Sequence, residues 1–240
     1  MYQTLLKPAL SDAKTFILDI LFPKNCLSCG KEGEFICENC KLELTELKQH
    51  NCIVCQKPAI FGLTHPGCMS PQTADGLISF YDYRDEKMAK IIIAGKYYFL
   101  PEVYKNLATM LAFKIKTQHE HLLKQSVLLC PIPLHKARLR WRGFNQAQVL
   151  CEHLAQELDL KIANALIREK NTRTQKDLKK EERLKNVSDA FVLNKGSDIK
   201  NKYILLLDDV ATTGATLQQA AKVLKRNGAK SVVCLTVARD

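Results

Sequence analysis

Apolar positions along this chain switch between two spacings, short unbroken runs and runs that recur every three to four residues. The first suits strands covered on both faces of a sheet, and the second suits helices with one apolar stripe. GLISFYDY reads as a strand, and MAKIIIAGKYY and PEVYKNLATMLAFKIK read as two helices, the second with Pro101 in its first turn. SVLLCPIPL reads as a second buried strand, broken by Pro131 and Pro133 where the chain must leave the sheet. NQAQVLCEHLAQEL returns to helix with Val149, Leu150, Leu154 and Leu158 inward, ANALIREK reads as a third strand, and AFVL as a short fourth. Ile204 to Leu207 is a continuous apolar run. Beyond it a helix shows Leu217, Ala220, Ala221 and Leu224 at i, i+3, i+4 and i+7, stops at Gly228 and leads into the strand SVVCLTVA. Strands alternating with helices predict an α/β fold with a parallel sheet flanked by helices.

Residues 1–22 follow the helical spacing instead, with Leu6, Leu10, Ala13, Ile17 and Ile20/Leu21 on one stripe. Lys7, Asp12, Lys14 and Asp19 interrupt the apolar pattern and no small-residue cleavage site follows, which argues against a signal peptide. No apolar run approaches the length of a membrane span. With 240 residues, 46% apolar and 25% charged, the chain has room for one sizeable core and a small extra module.

That module is written in cysteine. Seven of the ten cysteines fall in the first 68 residues, as Cys26-x2-Cys29-x7-Cys37-x2-Cys40 and then Cys52-x2-Cys55-x9-His65-x2-Cys68. Each CxxC turn can present two thiolates to one ion, so two such turns close a tetrahedral zinc site without a large core around it. Counting His65 gives two complete sets of four, with His50 as the alternative ligand and interleaved pairing between the sets still compatible with the spacing. Four protein ligands leave no open position, so the expected zincs are structural. Disulfides conflict with the missing secretion signal. Cys130, Cys151 and Cys234 sit singly on apolar patterns and read as small core residues. MSPQTAD, from Met69 to Asp75, reads as a linker.

The strongest chemical signal is ILLLDDVATTGATL, residues 204–217. Asp208 and Asp209 stand at the carboxyl end of an apolar strand, where open α/β sheets place their ligands. Ala211, Thr212, Thr213, Gly214, Ala215 and Thr216 then offer backbone N–H groups and hydroxyls at a helix N-terminus, a ready anion site. Two carboxylates suit vicinal sugar hydroxyls, and the N–H cradle suits a 5′-phosphate. A P-loop is excluded by the missing G-K-[ST], and a dinucleotide fold by the missing G-x-G-x-x-G.

LLLDDVATTGAT resembles the phosphoribosyl-pyrophosphate (PRPP) motif of type I phosphoribosyltransferases. The resemblance implies that Asp208 and Asp209 bind the ribose 2′- and 3′-hydroxyls, directly or through Mg²⁺, while Ala211 to Thr216 hold the 5′-phosphate. It also implies a type I phosphoribosyltransferase-like parallel sheet, with the zinc-ribbon module at its N-terminal side.

Charge adds a second clue. Of the net +11, +4 falls in HKARLRWR (135–142) and +4 in residues 168–185. Such a field suits a polyphosphate or a nucleic-acid backbone, and a solvated basic surface is the plain alternative. In the loop Pro133 to Gln146, His135, Lys136 and Arg142 are candidate contacts for pyrophosphate or DNA backbone, and Asn145 a candidate helix cap. NTRTQKDLKKEERLKN lacks apolar periodicity and reads as a mobile lid, with Arg173, Thr174, Gln175, Arg183 and Asn186 closing on ligand. Trp141 and Phe144, beside Arg140 and Arg142, either stack on bases or, more simply, pack the loop against the next helix.

The order F-P-x-x-C-x-x-C, PIPLHxxRLRxRGFNQA, RTQxxLxxxERxxNVxxAF and LLLDDVATTGAT is similar to the ComF family over residues 20–240. One departure is local: the family often shows K-Y-x-G after the first helix, where this chain has Lys96-Tyr97-Tyr98-Phe99. Beyond the amphipathic helix read over 1–22, the resemblance implies a double zinc ribbon over 23–72 and a phosphoribosyltransferase-like domain over 73–240. It implies a cytoplasmic protein of natural transformation, peripheral to the inner membrane through competence or DNA-processing partners, that handles incoming single-stranded DNA with a PRPP pocket. An active Mg²⁺-dependent phosphoribosyltransferase of unknown acceptor is the alternative.

Overall fold

The computed structural model describes residues 24–123, 126–170 and 190–240, and the N-terminal helix and polar lid read from the sequence lie outside them. In chain order the elements are α1 (Glu38–Leu42), β1 (Gly76–Asp82), α2 (Glu86–Tyr97), α3 (Pro101–Gln118), β2 (Val127–Pro131), α4 (Lys136–Arg142) and α5 (Gln146–Leu158). They continue with β3 (Lys161–Ile162), β4 (Leu166–Arg168), β5 (Phe191–Leu193), β6 (Tyr203–Ala211), α6 (Ala215–Arg226) and β7 (Ser231–Arg239).

Five strands make one sheet in the order β1-β7-β6-β2-β3, every pair parallel. β6 is central, so neighbours on both sides hold its register. Its apolar run is buried on both faces, as crossover helices require. Helices α2, α3 and α5 cover one face through Ile91, Ile92, Leu107, Leu111, Leu150 and Leu154. Helix α6 covers the other with Leu217, Ala220, Ala221 and Leu224, the stripe read from the sequence. Burying one leucine or isoleucine is worth about 1.5–3 kcal/mol, so these stripes, more than helix propensity, hold the helices on the sheet.

Three elements differ from their sequence reading. ANALIREK does not join the sheet: β3 ends at Ile162, and β4 pairs with β5 in a separate antiparallel ribbon, Leu166 opposite Leu193 and Arg168 opposite Phe191. Leu166 and Arg168 are buried while Ile167 is exposed, the one-sided pattern of an antiparallel ribbon. The strand before the acidic pair runs through it, with Asp208 opposite Thr236 and Ala211 opposite Arg239. Half of the segment read as a basic loop is the helix α4, built from strong helix formers, capped at its start by His135 and stopped by Gly143 at φ 77.

The cysteine module closes the sheet's β1 edge. Leu47 N–H donates to Phe80 O at 2.9 Å, Asp82 N–H to Thr45 O at 2.9 Å, and Thr64 N–H to Asp75 O at 2.9 Å. An edge strand left bare invites pairing with another chain, and the module occupies those backbone groups instead. The stretch read as a linker is pinned at its end, where Asp75 accepts from Val232 N–H at 2.7 Å, Ser231 Oγ at 2.9 Å and Lys225 Nζ at 3.1 Å.

Candidate functional site

At the carboxyl end of β6 the two acidic residues take different surroundings. Asp209 is buried, 3% exposed, and its Oδ2 meets Lys96 Nζ from α2 at 2.7 Å and accepts from Tyr104 OH at 3.4 Å. Burial works to lower the Lys96 ammonium, but the Asp209 carboxylate outweighs it and holds Lys96 above its ordinary value. Asp208 is half-buried and its Oδ1 accepts from Asp209 N–H at 2.9 Å. Burial, then the neighbouring Asp209 charge, push the Asp208 carboxyl up to about 7, against the opposing pull of Lys96 and Arg168. One carboxylate is therefore paired with a lysine, while its neighbour Asp208 titrates near neutrality.

After Ala211 the chain turns through Thr212, Thr213 and Gly214, and Gly214 at φ 76 caps α6. Ala215 N–H donates to Thr213 Oγ1 at 3.3 Å. The positive φ suits glycine, and so does the space: a Cβ on Gly214 would lie 2.9 Å from Ile53 Cγ1 of the second cysteine knuckle. From the same knuckle Gln56 Nε2 donates to Thr213 O at 3.4 Å. Arg239, at the end of β7, braces both by donating from Nη1 to Asn51 O at 3.1 Å and from Nη2 to Gln56 Oε1. The N-terminal module thus forms the outer wall of the loop.

Asp208, Asp209, Thr212 and Thr216 open onto a cavity of about 350 Å³, the size of a small-ligand site. Lys96, Arg138, Arg142 and Arg168 line the same cavity. Burial, then the Arg142 charge, lower the Arg138 guanidinium, and burial, then Arg138, lower Arg168. Three guanidinium groups crowding one cavity repel one another, and a bound anion relieves that repulsion. Arg142 is held by Gln146, whose Oε1 accepts from its Nη1 at 2.6 Å. Asn145 caps α5, accepting from Ala147 N–H at 3.1 Å while its Nδ2 donates to Ile132 O at 3.0 Å. RGFNQ is therefore a joint between two helices that aims Arg142 inward.

The sequence-derived candidates divide accordingly. Asp208, Asp209, Thr212, Thr216 and Arg142 meet at the cavity, while Ala211, Thr213, Gly214 and Ala215 shape the loop behind it. His135 and Lys136 are not among the lining residues; His135 Nδ1 instead accepts from Ala137 N–H at 3.2 Å as the α4 cap. Arg173, Gln175 and Arg183 lie outside the described residues. Lys96, Arg138 and Arg168 were missed. The i, i+4 spacing of Arg138 and Arg142 is the signal that a helical reading of that stretch would have used.

The cysteines form two clusters, Cys26/Cys29/Cys37/Cys40 and Cys52/Cys55/His65/Cys68, with ligand atoms within 4.8 Å of one another in each. Pairing is thus sequential, not interleaved, and His65, not His50, completes the second set. Cys29 Sγ lies 3.7 Å from Cys37 Sγ, and Cys55 Sγ lies 3.3 Å from His65 Nδ1. Tetrahedral zinc with bonds of about 2.3 Å to sulfur and about 2.0 Å to nitrogen needs about 3.8 Å between sulfurs and about 3.5 Å between sulfur and nitrogen, and both sets lie within a few tenths of an ångström of that. His65 Nε2 sits 2.9 Å from Pro58 O, the outer hydrogen bond that orients a metal-bound imidazole.

A double zinc ribbon domain model matches residues 17–70, and a phosphoribosyl transferase domain model matches residues 145–240. The two clusters are structural zinc sites. Competence protein ComFC of Bacillus subtilis (strain 168) is 31% identical over 221 residues, 88% of this chain and 86% of that protein. The chain belongs to the ComF family. Competence protein F of Haemophilus influenzae is 26% identical over 91% of this ComF-family chain and 98% of its own length. DNA utilization protein YhgH of Escherichia coli (strain K12) is 29% identical over 86% of this chain and 90% of its own. Among the described residues no helix is long and apolar enough to cross a membrane.

In this family member the local departure at Lys96-Tyr97-Tyr98-Phe99 leaves the lysine's geometry intact, since Lys96 reaches Asp209. Phe99 stands at φ 58, keeping a glycine-like backbone without a glycine. Trp141 is exposed, while Phe144 packs on the core with its ring 6.1 Å from Tyr104.

Proposed function

We propose that this ComF-family protein acts in competence, binding PRPP or a related phosphoribosyl ligand in the β6 cavity and handling single-stranded DNA in the cytoplasm. The carrying observation is the cavity's mixed lining: Asp208 and Asp209 share it with Arg138, Arg142 and Arg168 and with Thr212 and Thr216 at the start of α6. The carboxylates suit a ribose diol, the loop of Thr212 to Thr216 suits a 5′-phosphate, and the arginines suit a pyrophosphate. Asp208 and Asp209 would hold Mg²⁺, whose charge would neutralise the pyrophosphate.

DNA handling is supported by the competence and DNA-utilization relatives and by the acid-free basic helix α4. Phosphoribosyl transfer is a second reading, supported by three guanidinium groups lining the same cavity as the carboxylates, since a departing pyrophosphate needs positive charge. Titrating PRPP–Mg²⁺ and single-stranded DNA across salt, with wild type and Asp208→Asn/Asp209→Asn, separates these readings. PRPP binding lost in the double variant supports the pocket, and absence of PRPP binding by wild type overturns it. Negligible DNA affinity at physiological salt removes the DNA role. Pyrophosphate release only when a particular base is added would name an acceptor and make the protein an enzyme.

A further inference from the structure

Three aromatic side chains gather at the rim of the cavity and stay largely in solvent. Trp141 on α4 is 57% exposed, and its ring meets Tyr97 at 6.0 Å and Phe99 at 5.6 Å, both edge-on. Tyr97 also lines the cavity, so the cluster is continuous with the candidate ligand site. A contiguous exposed aromatic patch on a soluble protein marks a binding surface more often than a packing accident. The backbone strengthens that case. Phe99 holds φ 58, a region that a bulky side chain occupies only at a cost, and its ring remains 46% exposed. The left-handed backbone belongs to the turn that stops α2, and its consequence is that the Phe99 ring stands beside Trp141.

Charge says what the patch is for. Helix α4, which carries Trp141, also carries Lys136, Arg138, Arg140 and Arg142 and no acid. Arg138 and Arg142 line the cavity, Lys136 and Arg140 do not, and aromatic faces beside such cations suit unstacked bases on a phosphate backbone, because every base has a π-face and duplex DNA keeps its own covered. We propose that Tyr97, Phe99 and Trp141 form a stacking platform for a nucleobase of single-stranded DNA whose phosphates lie along α4. The inference rests on the DNA-handling role above and assigns it a surface. Phe144 takes no part, since it packs on the core.

Trp141 is the chain's single tryptophan, so its emission reports this platform alone. The test titrates oligothymidylate of about 12 nucleotides, and an abasic strand of equal length, into the full-length protein. Expected are quenching by oligothymidylate but not by the abasic strand, and about tenfold weaker oligothymidylate binding for Trp141→Ala, with Trp141→Phe close to wild type. Phe99→Gly, which relieves the backbone while removing the ring, is expected to weaken DNA binding without lowering the melting temperature. PRPP–Mg²⁺ affinity should be unchanged in Trp141→Ala. Equal affinity for both strands, or unchanged emission on binding, would mean purely electrostatic contact and overturn the platform while leaving DNA handling in place. Absence of binding to either strand overturns the platform and the DNA role together, and the PRPP titration then judges the pocket separately.

Discussion

Lys96 Nζ lies 2.7 Å from Asp209 Oδ2, so the deeper cavity carboxylate carries its own counter-charge from a different helix. The pair ties α2 to the tip of β6. Removing one partner of a buried pair leaves an uncompensated charge and typically costs about 3–5 kcal/mol. Lys96→Met is expected to destabilise the protein by about 3 kcal/mol, and adding Asp209→Asn should restore most of that loss. Denaturant unfolding of the two single variants and the double variant checks the coupling, and strictly additive losses would show that the two groups do not act as a pair.

Asp208 makes stability depend on pH in the direction opposite to an ordinary salt-bridged carboxylate. Its folded value of about 7 lies above the reference 3.8, so between these the folded state holds a proton that the unfolded state has released. That contribution is fully present below the reference value and is lost as pH rises through about 7. Asp208→Asn should therefore be more stable than wild type at pH 8, by about 1–2 kcal/mol or a few degrees in Tm, and show no such advantage at pH 4. Parallel melting curves for both proteins across that range would contradict the assignment. Binding of a Mg²⁺-bearing ligand, which needs the carboxylate, should tighten over the same rise in pH.

Gly214→Ala combines a left-handed backbone with a clash, because the new Cβ would meet Ile53 Cγ1 at 2.9 Å. The left-handed conformation alone costs about 1–2 kcal/mol. The expected result is a loss of about 2 kcal/mol and weakened binding of PRPP, with both zincs retained by metal analysis. Unchanged ligand affinity would mean that the loop tolerates movement and is not the anion cradle.

The second zinc knuckle should support the loop, whereas the first should not. Gln56 reaches Thr213 O and Ile53 abuts Gly214, while the first knuckle packs Ile36 and Leu44 into the core on the opposite face of the sheet. Cys55→Ser is expected to raise amide hydrogen exchange in residues 212–216 about tenfold, and Cys29→Ser to leave it near wild type. Gln56→Ala should give a smaller increase with zinc still bound. Equal exchange in all three would uncouple the ribbon from the loop.

Local order was legible wherever one short stretch carries its own reason. The α6 stripe follows from 3.6-residue periodicity, the apolar run of β6 from two-sided burial, and the zinc sets from CxxC spacing, because each depends on neighbours within one element or one turn. LLLDDVATTGAT marked the edge where the cavity opens for the same reason. One misreading fell where a partner distant in sequence decides, and the other passed over signals that are local. β4 left the sheet to pair with β5, and the stretch Lys136–Arg142 coiled into α4 between a histidine cap and a glycine stop, taking His135 away from the cavity.

By itself, the sequence determined which chemistry is present: two carboxylates before an N–H loop, a basic run, and two complete sets of zinc ligands. Only the tertiary structure decided which groups meet. Lys96 and Asp209 are separated by more than a hundred residues, and the ribbon's Gln56 is still farther from Thr213, so no local pattern connects them. Those contacts exist because the parallel sheet brings its strand ends to one edge and the ribbon must cover β1, and long-range packing of that kind has no signature in residue spacing.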